Sequence, residues 1–335
     1  MKAYQIVNDK GIDALALNEI AEPEIGPTDV LVRVRASSIN YRDLLTIEDP
    51  GARNLPYPRI PNSDGAGEVV AIGKDVTQFK VGDRVCSTFF QRWLDGAMRG
   101  SDHEYALGGS LDGMLAEYRA LPEQGLVHTP EHLSDIEAAS LTCAAVTAWH
   151  SLIAVGNVTA GETVLLLGTG GVSIFALQLC QALGARVIIT SSDDDKLKRA
   201  RELGAWQTVN YRQYPNWEEK VLEITNGLGV DHTVEVGGAG TLEKSVLATR
   251  NAGSVGLIGV LATGEFNPMM ILVKSIRLQG IYVGSRAMFQ QMNQAISVNG
   301  LKPVIDKIYP FEQARQAYHD MRTAGHFGKL VIEIS

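Results

Sequence analysis

The chain has 335 residues, 45% of them hydrophobic, with 30 Lys and Arg against 38 Asp and Glu for a formal net charge of −8. That length has room for about two domains with sizeable cores, and the acids and bases are interspersed, so no basic stripe marks nucleic acid as a partner. No apolar run approaches membrane-spanning length and the start, MKAYQIVNDK, has no signal-peptide core, which predicts a cytoplasmic protein with no membrane partner.

From Ala3 to about Leu126 the chain reads as short strands punctuated by Gly and Pro, with period-two runs such as DVLVRVRAS (Asp29–Ser37) and GAGEVVAIG (Gly65–Gly73). Within this half, residues 88–118 form a long glycine-punctuated stretch carrying Phe89, Phe90 and Trp93. A loop of that length in a compact domain is functional or disordered. After Pro130 strands and helices alternate: TVLLLG, a helix from Gly171 to Leu183 stopped by Gly184, ARVIITS, a charged helix from Asp193 stopped by Gly204, TVNY, a helix opening at Pro215, VDHTVEV, a short helix near Leu242 and GSVGLIGV. That alternation predicts βαβ units and a parallel sheet. Helical character returns over residues 286–299, and the tail FGKLVIEIS has strand alternation that is expected to rejoin the β-rich half. The three cysteines, Cys86, Cys143 and Cys180, are too widely spaced for a metal knuckle, and the seven histidines form no HExxH pattern.

The most informative stretch is LLLGTGGVSIFALQLCQALGARVIITSSDDDK, Leu165 to Lys196. An apolar strand meets glycines at Gly168, Gly170 and Gly171, and then a helix whose Val172, Phe175, Ala176, Leu179 and Leu183 recur at intervals of three and four. Gly168 permits the tight turn, Gly170 lets backbone approach a pyrophosphate, and the helix N-terminus offers free N–H groups and a positive dipole end. Ser173 stands where the dinucleotide fingerprint has its third glycine, which predicts slightly looser packing of helix on strand. At the end of the second strand Ser191 and Ser192 precede any acid. An acid there would bind a ribose 2′-hydroxyl and repel a 2′-phosphate, whereas a hydroxyl can donate to one, so these serines, with Lys196 and Tyr211, predict NADPH as the cofactor.

With PNSDGAGEVVAIGKDVTQFKVGDRV (Pro61–Val85), LTCAAVTAWHSL (Leu141–Leu152), GTGGVS and GKLVIE all in order, the chain resembles the medium-chain dehydrogenase/reductase superfamily, and within it the zinc-independent, quinone-oxidoreductase-like branch. The resemblance implies an α/β protein with a GroES-like β-rich catalytic domain (1–129 with 286–335), a Rossmann doubly wound parallel sheet domain (130–285) and a substrate cleft at their junction. Zinc alcohol dehydrogenases of this superfamily hold catalytic zinc with Cys, His and a third ligand; the matching positions here are Asn40, Ser63 and Cys143. An amide and a hydroxyl are poor zinc ligands, so no metal is expected.

Without a Lewis acid the easier acceptors are conjugated ones, in which added hydride spreads charge into an enolate or phenolate that hydrogen-bond donors can stabilise. The expected function is hydride transfer from NADPH to a quinone or α,β-unsaturated carbonyl; the alternatives are a metal-free alcohol or aldehyde dehydrogenase and an NADPH-binding protein with little catalysis. Asn40, Tyr41 and Ser63 are the candidate donors, and Phe90, Trp93 and Cys143 the candidate lining of a pocket for a small apolar acceptor, with packing as the alternative role of Tyr41 and the two aromatic rings. The resemblance further implies that Thr147 meets the nicotinamide side of the cofactor, that Ile258, Val260, Val283 and Ser285 surround its amide, and that Ser275–Gly284 forms a sheet edge paired across a homodimer. Arg286 is read as a phosphate or anion contact or a helix-start residue, and His150 as a surface or internally satisfied histidine.

Overall fold

The structure is a computed structural model and describes residues 1–259 and 264–335. By its internal contacts the chain divides into one compact unit of Met1–Val146 with Gly284–Ser335, and a second of Thr147–Val283. The sequence reading opens the second domain at 130, whereas residues 130–146 pack with the first unit. Arg84 clamps Asp135 through both Nε and Nη2, at 2.9 and 2.7 Å, and Thr142 Oγ1 donates to the carbonyl of Ser87 at 2.8 Å. Among the described residues no helix is long and apolar enough to cross a membrane.

The first unit is organised by the strand Asp29–Ser38, whose side chains alternate between half-buried and buried as its period-two sequence dictates. It pairs antiparallel with Asp64–Ile72, Tyr118–Pro122 and Lys329–Glu333. Gly67 lies where a β-carbon would come within 2.0 Å of the Arg33 carbonyl, so only glycine allows the two strands to close there. The tail joins the first half as the alternation predicts: Val331, Ile332 and Glu333 stand opposite Ser38, Ser37 and Ala36. That register carries Lys329 past the end of the central strand to Ile39 and Asn40, where the helix Tyr41–Glu48 begins. Val30, Val32, Val34, Leu44, Ile47, Tyr318 and Ile332 share one core beneath the sheet.

The second unit is a parallel sheet with strands in the order Gln207–Asn210, Arg186–Ser191, Thr163–Leu167, Val230–Glu235, Thr249–Leu257 and Arg277–Gly280. Numbered along the chain this is 3-2-1-4-5-6, the doubly wound order whose ligand crevice opens at the carboxyl ends of its first and fourth strands. All five residues of Thr163–Leu167 are buried, as expected of a central parallel strand covered on both faces. The helix Gly171–Leu183 is buried around more of its circumference than its apolar stripe predicts. Ile174, Leu177 and Cys180 are buried beside Phe175, Ala176 and Leu179, while Val172 and Leu183 are only half-buried.

Inside this sheet His232 is 1% exposed and holds two hydroxyls, Ser151 Oγ at 2.9 Å on Nε2 and Ser254 Oγ at 2.8 Å on Nδ1. Burial, aided by Arg277, pushes its pKa down to about 4. The folded state therefore binds this proton more weakly than the unfolded chain does. The neutral ring contributes stability in full above the unfolded value near 6.5, and loses it as pH falls toward 4, about 3 kcal/mol in total. Urea unfolding measured across that window is expected to show the loss in the wild type and a flatter pH dependence in His232→Gln.

Candidate functional site

Each unit carries one cluster of groups suited to chemistry. In the first unit the cluster forms where the central strand ends, at Ser38–Asn40, beside Asn62–Asp64, with its charges close enough to act on the Cys143 thiol. Lys329 is its pivot: the side chain is 3% exposed, and its ammonium donates to the Ile39 carbonyl at 2.8 Å and to Asn40 Oδ1 at 2.6 Å, with Asp64 Oδ2 at 3.7 Å. Asp64 is fully buried and also accepts from Ser38 Oγ at 2.9 Å and from Ser63 Oγ at 2.6 Å. A buried charge persists only where it is met in this way.

Asn40 opens the helix Tyr41–Glu48 and is 8% exposed. Its backbone N–H donates to Asp43 Oδ2 at 2.9 Å and its side-chain Nδ2 to the same oxygen at 3.3 Å, while Arg42 holds Asp43 Oδ1 at 2.9 Å. Burial raises the Asp43 carboxyl above its usual range, opposed by Arg42. Of the three residues expected as donors, Asn40 keeps one side-chain amide hydrogen beyond the one given to Asp43, and Tyr41 stands 41% exposed at the first helical position. Ser63 is different, because its only proton already goes to Asp64, which leaves it an acceptor.

The residues at the family's zinc positions do not fit that metal. Zinc wants thiolate, imidazole or carboxylate ligands. Here the Asn40 oxygen is taken by Lys329 and the Ser63 hydroxyl is turned to Asp64. The Cys143 thiol is pushed far above its ordinary range, first by burial and then by the charge of Asp64, and so stays protonated. Among the described residues no group of three or more His, Cys, Asp and Glu side chains is placed to hold a metal ion.

The aromatic residues proposed as pocket walls anchor their own loop instead. Phe90 and Trp93 are 2% and 4% exposed, and Phe90 packs against Phe89 at 4.6 Å, Trp93 at 6.0 Å and His103 at 5.7 Å between ring centroids. Trp93 Nε1 donates to Gly96 O at 3.0 Å, which ties the loop to itself. Arg286 is likewise a structural contact and not an anion site: its Nε donates to Leu126 O at 3.0 Å and its Nη2 to Gln78 Oε1 at 2.7 Å. Beside it Ser285 caps the helix Arg286–Asn299 by accepting the Met288 N–H.

In the second unit the glycine turn has the form its sequence predicts. Gly168 has φ +69°, Gly170 caps the helix that starts at Gly171, and among the described residues a β-carbon on either Gly168 or Gly170 would meet no atom within 4 Å beyond its own chain neighbours. Open space next to backbone at a helix N-terminus suits a pyrophosphate. Ser173 is buried and donates to the Leu167 carbonyl at 2.7 Å, so the departure from glycine bonds the helix to the strand and does not loosen it.

At the end of the second strand Ser191 Oγ accepts the Asp193 N–H at 3.2 Å, which leaves its proton for another group. Tyr211 is brought alongside, its N–H on the Ser191 carbonyl at 3.1 Å and its side chain 42% exposed. Ser192 and Lys196 are half-buried. Two of the three nearby acids are engaged: Asp193 Oδ1 accepts the Lys196 N–H, and Asp194 accepts from Asn210 Nδ2 at 2.7 Å and Gln213 Nε2 at 3.0 Å.

At the carboxyl end of the fourth strand the buried Glu235 accepts the N–H groups of Gly237 and Gly238 at 2.6 and 2.9 Å, Thr241 Oγ1 at 2.7 Å and the Ser245 hydroxyl. Its carbonyl accepts Ile258 N–H at 2.8 Å, fixing one of the expected cofactor contacts at the crevice. Val283 is buried with φ +56°, and its carbonyl pairs with His150 Nδ1 at 2.7 Å, so the histidine is internally satisfied. Thr147 is buried, and Val260 lies outside the described residues. Sequence reasoning missed Lys329, Asp43, Asp64 and Glu235 as site-building groups; for Lys329, Asp64 and Glu235 the signal available was a charged residue at the edge of an apolar or small-residue run, and Asp43 carried none.

Comparison with known proteins agrees with both halves. Residues 26–131 match the alcohol dehydrogenase GroES-like domain family and residues 171–298 the zinc-binding dehydrogenase family. A zinc-type alcohol dehydrogenase-like protein of Schizosaccharomyces pombe is 42% identical over 345 residues, covering all of both chains. The quinone oxidoreductase of Homo sapiens is 27% identical over 341 residues, covering 99% of this chain and 97% of that one. The crystal structure of an NAD-dependent alcohol dehydrogenase superposes with a TM-score of 0.91 at 30% identity over the whole of both chains. A mycobacterial protein solved in complex with NADPH does so with 0.84 at 25%, again over both chains in full. With the two-unit architecture, the 3-2-1-4-5-6 sheet and the glycine turn, these matches establish that the chain belongs to the medium-chain dehydrogenase/reductase superfamily, oxidoreductases that bind a nicotinamide dinucleotide.

Proposed function

We propose that this oxidoreductase reduces quinones or α,β-unsaturated carbonyls with NADPH and works without zinc. The observation that carries this reading is the first unit's cluster, where an amide, a hydroxyl and a protonated thiol stand at the metal positions and a buried lysine organises them. Such a site offers hydrogen-bond donors and no Lewis acid. That suffices where charge is delocalised in the acceptor and is a poor match for a localised alkoxide.

NADPH, when bound, would supply a hydride from C4 of the nicotinamide. Gly168, Gly170 and the N-terminus of the helix Gly171–Leu183 hold the pyrophosphate, and Ser191, Ser192, Lys196 and Tyr211 hold the 2′-phosphate. Asn40 donates to the acceptor's oxygen as it gains charge, Tyr41 is a second donor at the same helix start, and a proton from solvent completes the reduced product. The NADPH complex of the mycobacterial relative supports the choice of cofactor, and the human quinone oxidoreductase supports the acceptor class. The NAD-dependent relative makes the cofactor a point to be measured.

Cofactor oxidation followed with a quinone, a simple enone and an aldehyde, each with NADPH and with NADH, tests the reading. Turnover of the quinone or enone with NADPH is expected; a protein that reduces only the aldehyde, or oxidises alcohols, is the metal-free alcohol dehydrogenase instead. Ser191→Asp is expected to weaken NADPH by at least about tenfold, some 1.4 kcal/mol, and to leave NADH binding intact. Equal loss for both cofactors would show that Ser191 does not meet the 2′-phosphate.

A further inference from the structure

Both side-chain ends of Asn40 face groups that can bond in only one sense. An ammonium carries donors and no acceptor, so the atom 2.6 Å from Lys329 Nζ must be the amide oxygen. Asp43 accepts at both oxygens, Oδ1 from Arg42 and Oδ2 from the Asn40 backbone N–H, so the atom 3.3 Å from Oδ2 must be the amide nitrogen. A flipped amide would press N–H against ammonium and oxygen against carboxylate. Neither neighbour can turn away. Lys329 is also bonded to the Ile39 carbonyl and its side chain is 3% exposed, while Asp43 is clamped by Arg42 on one oxygen and by the Asn40 backbone on the other. The amide nitrogen has two hydrogens, and Asp43 takes one.

We propose that Lys329 is a positioning residue: its buried ammonium fixes the Asn40 amide with oxygen inward, so that an N–H remains to donate to the oxygen of the acceptor. The inference deepens the function proposed above and rests on it for the use of that N–H; the orientation itself stands apart from any substrate. Lys329 touches neither cofactor nor acceptor in this account and acts through Asn40.

The test uses the full-length protein labelled with ¹⁵N at asparagine, with the Asn40 side-chain amide assigned by its disappearance in Asn40→Asp. That signal is expected to move or broaden in Lys329→Met and to hold its place in Lys329→Arg, which is again a pure donor. In turnover, Lys329→Met is expected to lower kcat for the acceptor by at least about tenfold with KM for NADPH within about twofold, and Lys329→Arg to recover most of kcat. A signal that does not move in folded Lys329→Met overturns the proposal whatever the substrate. A signal that moves while kcat stays at the wild-type value supports the positioning, and overturns the use of the N–H together with the donor role of Asn40. Should Lys329→Met not fold, Lys329→Gln takes its place: an amide both donates and accepts, so the Asn40 signal is expected to double or broaden, and a single unmoved signal overturns the proposal.

Discussion

A lysine ammonium that is 3% exposed must be surrounded by acceptors or the fold around it fails, and that constraint organises the first unit. Lys329 sits at the start of the last strand, so the register of that strand on Asp29–Ser38 decides where the charge lands. It lands on a backbone carbonyl, an amide oxygen and, slightly farther off, a carboxylate. From Asp64 the bonding passes to Ser63 and Ser38, and from Asn40 to Asp43 and Arg42. The two ends of the chain are thus joined by sheet hydrogen bonds and by one ion pair at the place where chemistry is proposed. A cluster with every charge met is rigid, which is what preorganised donors require.

The second unit solves a different problem with backbone. A dinucleotide's pyrophosphate needs N–H groups and room, and the turn supplies both by having no side chains at Gly168 and Gly170. Side chains enter only at the rims. Ser191 and Tyr211 are held together through the parallel pairing of the second and third strands, and Asp194, three residues after Ser191, is spent on Asn210 and Gln213. Across the switch point, Glu235 uses one carboxylate to tie the start of the helix Ala239–Ala248. Each feature follows from doubly wound strand order, which gathers the carboxyl ends of the strands in one row.

Periodicity alone makes the architecture legible. Alternation in DVLVRVRAS became the central strand, the three-and-four spacing after Gly170 became the helix, and the glycines bounding it stop and start it where expected. Residue type alone also shows that an amide and a hydroxyl, Asn40 and Ser63, stand where zinc enzymes of the family carry two of their ligands. What sequence could not supply was which polar atoms meet. GKLVIE reads as strand alternation, and nothing local says that its lysine turns inward to Asn40 some 290 residues away. For the same reason residue type offers Ser63 as a donor although its proton goes to Asp64, and leaves Arg286 open between an anion contact and a helix start, where the structure shows it opening the helix Arg286–Asn299 and bonded to Leu126 and Gln78. Phe90 and Trp93 show the limit for apolar residues: composition marks a sticky loop, and only packing says whether the rings line a pocket or fasten the loop to itself.

The central claim is that a buried lysine and the amide it orients, not a metal, support hydride transfer here. Metal content and turnover measured on the same sample, washed with chelator and then titrated with zinc, test it most directly. The account predicts full turnover at a zinc content far below one per chain, unchanged as zinc is added. Activity lost with the metal and restored in proportion to its return would contradict it.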